Sequence, residues 1–235
     1  MALLKGEGTH QILYGGADIF SGLRHNRGYL ARPDHAGEFP TVLLVHGGAG
    51  ITASVKSVAR RLARHGVAVV GPDLFRGART PRDQAPPWPG WSDVASDLAD
   101  AVMWMGSPDT PWVRPGTIGV LALDKSAVAA LRFAAARDEV GPVALVSPVL
   151  DSDLPPATAP VLALVGKDDP ALSAERRQAA QTGLSHAEWV LYGGVGGGLL
   201  DEAAADYRWD IAEDALARIV SFFSRLTPVS PAGKQ

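Results

Sequence analysis

Short apolar runs alternate with longer amphipathic segments along most of the chain. The run Thr41–Val45 is almost entirely apolar, which is typical of a strand buried on both faces of a parallel sheet. In the next segment, Val55, Val58 and Leu62 share one helical stripe that leaves the neighbouring basic residues outside. Strands that alternate in this way with helices of ten or more residues predict a three-layer α/β fold with a mainly parallel sheet of about seven or eight strands.

The same pattern predicts the remaining elements and the limits of the domain. Turn-prone Gly15-Gly16 and Ser21-Gly22 bound two opening strands, and residues 76–91 form a surface excursion rich in Pro, Arg, Asp and Trp. No repeat or linker is visible in the sequence, so residues 1–226 are expected to form one domain and residues 227–235 a fraying tail. Further strands are predicted near residues 67–70, 117–123, 142–146, 161–165 and 188–191, and further helices from about residues 92, 127, 171 and 202.

Composition narrows the class of protein. The chain has 235 residues, of which 46% are hydrophobic and 20% charged, as expected for a globular protein with a sizeable core. The formal net charge is −3 and no Lys/Arg-rich run is present, so neither a nucleic acid nor an anionic membrane is expected as a partner. Without a signal-like N-terminus or a long apolar run, the sequence favours a cytoplasmic protein, and it leaves monomer and homodimer open.

The absence of cysteine excludes several kinds of site. A chain without cysteine has no disulfide scaffold, no thiolate metal site and no cysteine nucleophile. The spacing of His, Asp and Glu residues does not suggest a metal site either, and no cofactor is expected.

The stretch Thr117–Ala130 carries the clearest chemical signal. An apolar strand ends in an abrupt polar turn and continues as an Ala-rich helix, which is the layout of a nucleophile elbow. The usual motif is Gly-x-Ser-x-Gly, whereas the residues here are Ala122-Leu-Asp-Lys-Ser126. The small flanking residues are retained, but the central residue is Asp124.

The order of these landmarks resembles the dienelactone hydrolase family of the α/β-hydrolase superfamily. The resemblance runs from about Gly28 to Leu226 and implies the fold of that family, with a catalytic site at the C-terminal edge of the sheet. The segments that carry it are Gly28–Pro33, the strand that leads into His46-Gly47-Gly48, Arg64–Phe75, Ile118–Asp124, Gly166–Pro170 and Tyr192–Leu199.

Carried over residue by residue, the resemblance implies a degenerate triad. The nucleophile of the family, a cysteine or serine, falls on Asp124; its acid falls on Asp169; and its histidine falls on Gly197. A glutamate that follows the first oxyanion-strand histidine in the family corresponds to Gly47. Because a Ser or Cys nucleophile needs a base, and the base needs an orienting carboxylate, ordinary ester hydrolysis is not expected.

Further residues are predicted to surround the substrate. His46 lies at the expected edge of the sheet and is also a candidate replacement base. Asp169, with Asp168, has an alternative role in capping the helix predicted from residue 171. Trp88 and Trp91 are read as lid or pocket wall, and alternatively as residues packed on the helix that follows. The full set of predicted substrate-binding residues is His46, Gly47, Gly48, Lys125, Arg76, Arg79, Trp88, Trp91 and Leu199.

Three functions are compatible with this sequence. The favoured hypothesis is a non-hydrolytic enzyme of the cyclase, isomerase or lyase type, in which Asp124 donates a proton or hydrogen bond to a fairly large apolar small molecule. The first alternative is a true hydrolase, of ester, lactone or aspartate-nucleophile type, that uses Asp124. The second is a noncatalytic protein that binds a small molecule.

Overall fold

The computed structural model describes residues 8–78, 86–150, 154–156 and 159–225. The predicted tail at residues 227–235 lies outside these residues. The strands are β1 (Ile12–Ser21), β2 (Arg24–Pro33), β3 (Thr41–Val45), β4 (Ala68–Pro72), β5 (Ile118–Leu123), β6 (Val140–Val146), β7 (Val161–Gly166) and β8 (Glu188–Tyr192). The helices are α1 (Ala53–Arg64), α2 (Trp91–Met105), α3 (Ala127–Ala135), α4 (Ala174–Gly183) and α5 (Trp209–Ser224).

The strands form one sheet of eight in the order β1-β2-β4-β3-β5-β6-β7-β8. β1 and β2 form an antiparallel hairpin, and β2 also pairs antiparallel with β4. All other neighbours are parallel. The predicted α/β fold with a mainly parallel sheet is therefore confirmed.

Two apolar layers cover the sheet. Residues of α1 and α5 pack on one face, and residues of α2 and α3, together with parts of α4, pack on the other. Every residue of β3, β4 and β7 is buried, which explains why these strands are continuous apolar runs.

The predicted turn at Gly15-Gly16 is wrong. β1 continues through both glycines, which pair with Leu30 and Tyr29 of β2. The ladder of backbone hydrogen bonds outweighs the local turn preference of the two glycines. The other predicted turn, at Ser21-Gly22, is confirmed: the hairpin turns at Gly22, where φ is +59°.

Two helices begin later than predicted. α4 begins at Ala174 because Ser173 caps it, its hydroxyl accepting from the N–H of Arg176 at 3.3 Å. α5 begins at Trp209 rather than near residue 202. The preceding turn is held in place by Asp206, whose carboxylate accepts from the N–H of Gly196 at 2.6 Å.

A close backbone approach positions the two loops that follow β7 and β8. The N–H groups of Lys167 and Asp168 donate to the carbonyls of Tyr192 and Val195. At Gly166 the chains are so close that an added Cβ would lie 2.1 Å from the carbonyl oxygen of Gly196. Only glycine permits this approach, which brings the acidic loop after β7 against the glycine-rich loop after β8.

We therefore expect Gly166→Ala to lower the free energy of unfolding by about 1–3 kcal/mol or more, because the added methyl group forces the two loops apart. Gly193→Ala is the matched control, since a Cβ at that position meets no atom within 4 Å. Urea unfolding measures both variants. Equal stability of the two variants would contradict the close approach.

Candidate active site

The turn after β5 holds Asp124 in a strained backbone conformation. A short 3-10 helix (Asp124–Ser126) joins β5 to α3, and φ of Asp124 is +54°, a value that residues other than glycine seldom adopt. Ser126, which is completely buried, stabilises the turn. Its hydroxyl accepts from the N–H of Leu123 at 3.0 Å and lies 2.8 Å from the carbonyl oxygen of Val45 in β3. The strain at Asp124 is thus held by contacts with two strands, as at a nucleophile elbow.

Gly47 and Gly48 enclose the Asp124 side chain. The N–H of Gly48 donates to Asp124 Oδ2 at 3.3 Å. A Cβ at Gly47 would lie 2.9 Å from both Cβ and Oδ2 of Asp124. A glutamate at position 47, as the resemblance expects, and a carboxyl at position 124 would therefore compete for the same space.

Lys125 and Asp124 both lie beside Gly48, where an added Cβ would be 3.8 Å from Asp124 Oδ2. The Lys125 side chain is exposed, and its aliphatic part runs beside Gly48, where an added Cβ would lie 3.5 Å from Lys125 Cδ.

Both ring nitrogens of His46 form hydrogen bonds with backbone groups. The ring is completely buried, with Nδ1 2.8 Å from the carbonyl oxygen of Gly47 and Nε2 3.0 Å from the nitrogen of Leu74. Because the Leu74 N–H can only donate, Nε2 is the acceptor and Nδ1 carries the proton. Burial lowers the pKa of His46, which favours this neutral form. Both nitrogens are occupied, so the ring positions the loop and has no free nitrogen with which to act as a base.

Asp169 faces Gly197, the position on which the resemblance places the histidine of the family. A Cβ at Gly197 would lie 3.4 Å from Asp169 Oδ2 and 3.5 Å from Oδ1. The carboxyl is 5% exposed, and Oδ1 accepts from the N–H of Ala171 at 2.8 Å. Burial raises the pKa of Asp169 against the effect of the Ala171 hydrogen bond, and the charges of Asp124 and Asp206 raise it further.

Both sequence interpretations of Asp169 therefore describe part of its environment. It stabilises the turn at Ala171, although Ser173 rather than Asp169 caps α4. The neighbouring Asp168 binds the glycine loop, its Oδ2 accepting from the N–H of Gly194 at 3.0 Å.

A cavity of about 230 Å³ joins the two halves of this site. It reaches from Asp124 and Gly47 to Gly197, the position on which the resemblance places the histidine of the family. Its walls are largely apolar, and its polar members include Ser147 at the end of β6. The lining residues are Gly47, Ala49, Gly50, Thr52, Ser54, Val55, Val58, Leu123, Asp124, Val146, Ser147, Gly197, Leu200 and Asp201.

Sequence reasoning missed Ser147 and Leu200. Neither belongs to a motif. The general rule that ligands bind at the carboxyl ends of parallel strands could have indicated Ser147, which follows directly on β6.

The structure places four predicted substrate-binding residues in other surroundings. Arg76 is held by α2: its Nε and Nη2 each lie 3.0 Å from the Asp97 carboxylate. Trp88 packs edge-on against His46 and Phe75, behind the 46–50 loop. Trp91 is the first residue of α2 and is 40% exposed, whereas Leu199 is 1% exposed in the core under α1 and α5.

Arg79 lies outside the described residues. A role in substrate binding stays a prediction for all five residues, Arg76, Arg79, Trp88, Trp91 and Leu199.

The described part of the chain contains no group of three or more His, Asp or Glu side chains placed to hold a metal ion, and none of its helices is long and apolar enough to cross a membrane.

The chain matches a known protein family and is similar to several solved structures. Residues 26–227 match the family model described as "Dienelactone hydrolase family". Among solved structures, a protein of Klebsiella pneumoniae subsp. pneumoniae MGH 78578 assigned as a dienelactone hydrolase is similar at 21% identity. The similarity covers 92% of this chain and 99% of that chain, with a TM-score of 0.77.

Other similar structures carry different hydrolase names. The dienelactone hydrolase-like promiscuous phosphotriesterase P91 from metagenomic libraries has 17% identity, coverage of 92% of this chain and 98% of its own, and a TM-score of 0.74. An esterase of Pyrobaculum calidifontis has 20% identity, coverage of 93% and 86%, and a TM-score of 0.65. At these identities the likeness shows the fold alone. No curated protein matches the chain significantly.

The surroundings of Asp169 predict that it destabilises the folded protein at neutral pH. Burial raises its pKa above the ordinary 3.8, so the folded protein binds this proton more tightly than the unfolded chain does. Its contribution to stability is fully present below pH 3.8 and is lost as the pH rises through the raised pKa. Asp169→Asn does not titrate and keeps an acceptor for the Ala171 N–H. The variant should therefore gain stability relative to the wild type as the pH rises.

Urea unfolding of both proteins from about pH 4 to about pH 7 measures this difference. A variant that becomes less stable relative to the wild type as the pH rises would contradict the unfavourable burial of the Asp169 charge.

Proposed function

The chain belongs to the dienelactone hydrolase family, and from this premise we propose that it is a family member with a degenerate triad. It acts on an apolar small molecule without hydrolysing it, as an isomerase, cyclase or lyase. The cavity of about 230 Å³ favours a compact molecule over the fairly large one expected from the sequence. The observation that carries the proposal is the opening at Gly197. There the acid of the triad is buried and in position, yet the residue facing it has no side chain.

The environment of His46 supports the same proposal. A replacement base would need a free ring nitrogen near Asp124, and both nitrogens of His46 bind backbone groups. Without a base, neither activation of a serine-type nucleophile nor hydrolysis of an aspartyl ester by water has its usual proton acceptor. Members of such a triad act as a unit, so the loss of one removes most of the hydrolytic rate.

The remaining groups suit proton transfer. Asp124 offers a carboxyl to the cavity, and Gly48 holds one of its oxygens. A carboxyl in this position can protonate a carbonyl, enol ether or alkene, and a carboxylate can take a proton from a neighbouring carbon, so that an isomer forms with no net uptake of water. General acid–base catalysis of this kind contributes about 10²–10⁴ to a rate. Positioning in the cavity supplies the rest.

A true hydrolase that uses Asp124 is the second candidate. The hydrolase names of similar structures favour it.

The proposal predicts proton exchange at carbon. In D₂O, the protein should accelerate exchange of the α-protons of cyclohexanone by about 10²-fold or more over buffer. The Asp124 carboxyl can polarise the carbonyl, and in its ionised form the same group can remove the proton. Asp124→Asn keeps the shape and a hydrogen-bond donor but cannot transfer a proton, and Asp124→Ala removes both. Both variants should lose the exchange, which NMR spectroscopy measures. Full retention in both variants would overturn the role of Asp124, and exchange no faster than in buffer would favour a binding protein.

Ester hydrolysis separates the two enzyme classes. The wild type should hydrolyse 4-nitrophenyl acetate no faster than Asp124→Ala does. The double variant Asp124→Ser/Gly197→His, which supplies a nucleophile and a base beside Asp169, should exceed each single variant by about tenfold or more, because triad members act together. Fast hydrolysis by the wild type that Asp124→Ala abolishes would show that the protein is a hydrolase.

A further inference from the structure

Ser147 combines two unfavourable features. Its φ is +45°, in the left-handed region where a residue other than glycine is strained. Its side chain is 6% exposed, and Oγ makes no hydrogen bond. Burial of an unpaired hydroxyl is unfavourable, because the group loses its hydrogen bonds to water. Glycine at this position would avoid both costs.

The position of Ser147 distinguishes it from the other residues with unpaired buried atoms. In the described part of the chain, four buried side-chain atoms lack a partner, and they belong to Asn26, Ser147, Arg177 and Trp189. Of these four residues, Ser147 is the one that lines the cavity shared with Asp124 and Gly197.

Ser147 also stands beside Asp124 in the sheet. Leu123 and Val146 are paired in the β5–β6 ladder, so the next residues, Asp124 and Ser147, leave neighbouring strand ends about 4.8 Å apart. The backbone fixes this arrangement from both sides. The Ser147 N–H donates to the carbonyl of Leu164 at 3.0 Å, and the Val149 N–H donates to the carbonyl of Asp124 at 3.2 Å.

We propose that Ser147 is a ligand-binding residue. Its hydroxyl donates a hydrogen bond to a carbonyl or ether oxygen of a compact, oxygen-bearing apolar molecule held against Asp124. The inference rests on the proposed function and names the substrate class of the same site.

The cavity supports this choice of ligand. Its volume of about 230 Å³ is below the 300–1,000 Å³ typical of pockets for drug-sized ligands, so a single-ring molecule fits better than a larger one. The wall contributed by Val55, Val58, Val146 and Leu200 is apolar. A rotation about the Cα–Cβ bond moves Oγ between staggered positions, which allows it to meet a ligand oxygen in surroundings screened from water.

The test uses two probes of the same shape. Cyclohexanone carries one acceptor oxygen, and methylenecyclohexane replaces it with carbon. NMR titration of wild-type protein and Ser147→Ala gives the affinity for each probe. Since a neutral hydrogen bond contributes about 0.5–1.5 kcal/mol, Ser147→Ala should weaken cyclohexanone binding by about threefold to tenfold. It should leave methylenecyclohexane within about twofold.

Stability distinguishes a ligand-binding role from a structural one. Ser147→Ala removes the unpaired hydroxyl and Ser147→Gly also relieves the strained φ, so both should unfold at the wild-type temperature or above it. The matched control is Ser57→Ala, because the Ser57 hydroxyl already donates to Glu202 at 2.8 Å. This control should lose a little stability and keep its affinity for cyclohexanone.

Three results would overturn the inference. They are unchanged cyclohexanone affinity in both Ser147 variants, an equal loss for the two probes, and no binding of cyclohexanone by the wild type. The proposed function is tested separately, by the proton-exchange rates of the Asp124 variants. If proton exchange depends on Asp124 while the affinity for cyclohexanone is the same with and without the Ser147 hydroxyl, the proposed function is retained and only this inference is wrong.

Discussion

The contact between Asp124 and the backbone of Gly47 and Gly48 is the constraint on which the site depends. The 3-10 turn after β5 pushes an aspartate into the left-handed region, and Ser126 ties that turn to the carbonyl of Val45. The carboxyl then fills the space beside Gly47, where no side chain could stand. A carboxyl therefore lies beside the backbone of Gly47 and Gly48. It belongs to Asp124 in the turn after β5 and not to residue 47, where the resemblance expects a glutamate.

The second half of the site is built from acids and glycines. Asp168 and Asp206 bind the N–H groups of Gly194 and Gly196, which fixes the glycine loop against the end of β7. The loop holds Gly197 over Asp169, whose burial is unfavourable for its charge. The polypeptide thus maintains a buried carboxyl and an open space side by side. This arrangement supports the proposed degenerate triad, in which a binding cavity lies at the position of the family's histidine.

The sequence predicted the fold well because the buried strands leave a strong signal. Runs such as Thr41–Val45 admit few polar residues, and the strand-turn-helix around Asp124 has a recognisable layout. Predictions that relied on local preference were less accurate. The ladder with β2 outweighs the turn preference of Gly15-Gly16, and the Asp206 contact delays α5. Arg76 could not be placed from sequence, since its partner Asp97 is an acid buried in an amphipathic helix. Ser147 belongs to no motif, and its strained φ and unpaired hydroxyl distinguish it from its neighbours only in the structure.

Binding of imidazole tests the central claim most directly, because imidazole is the side chain that Gly197 lacks. The account predicts that NMR titration with imidazole shifts the resonances of Gly197, Asp169 and Asp124 together. It also predicts that the pKa of bound imidazole rises beside the carboxylates. Gly197→Val, which fills part of the same space, should abolish both effects. Shifts elsewhere on the protein, or binding that survives Gly197→Val, would contradict the claim that a histidine-sized space lies between Asp124 and Asp169.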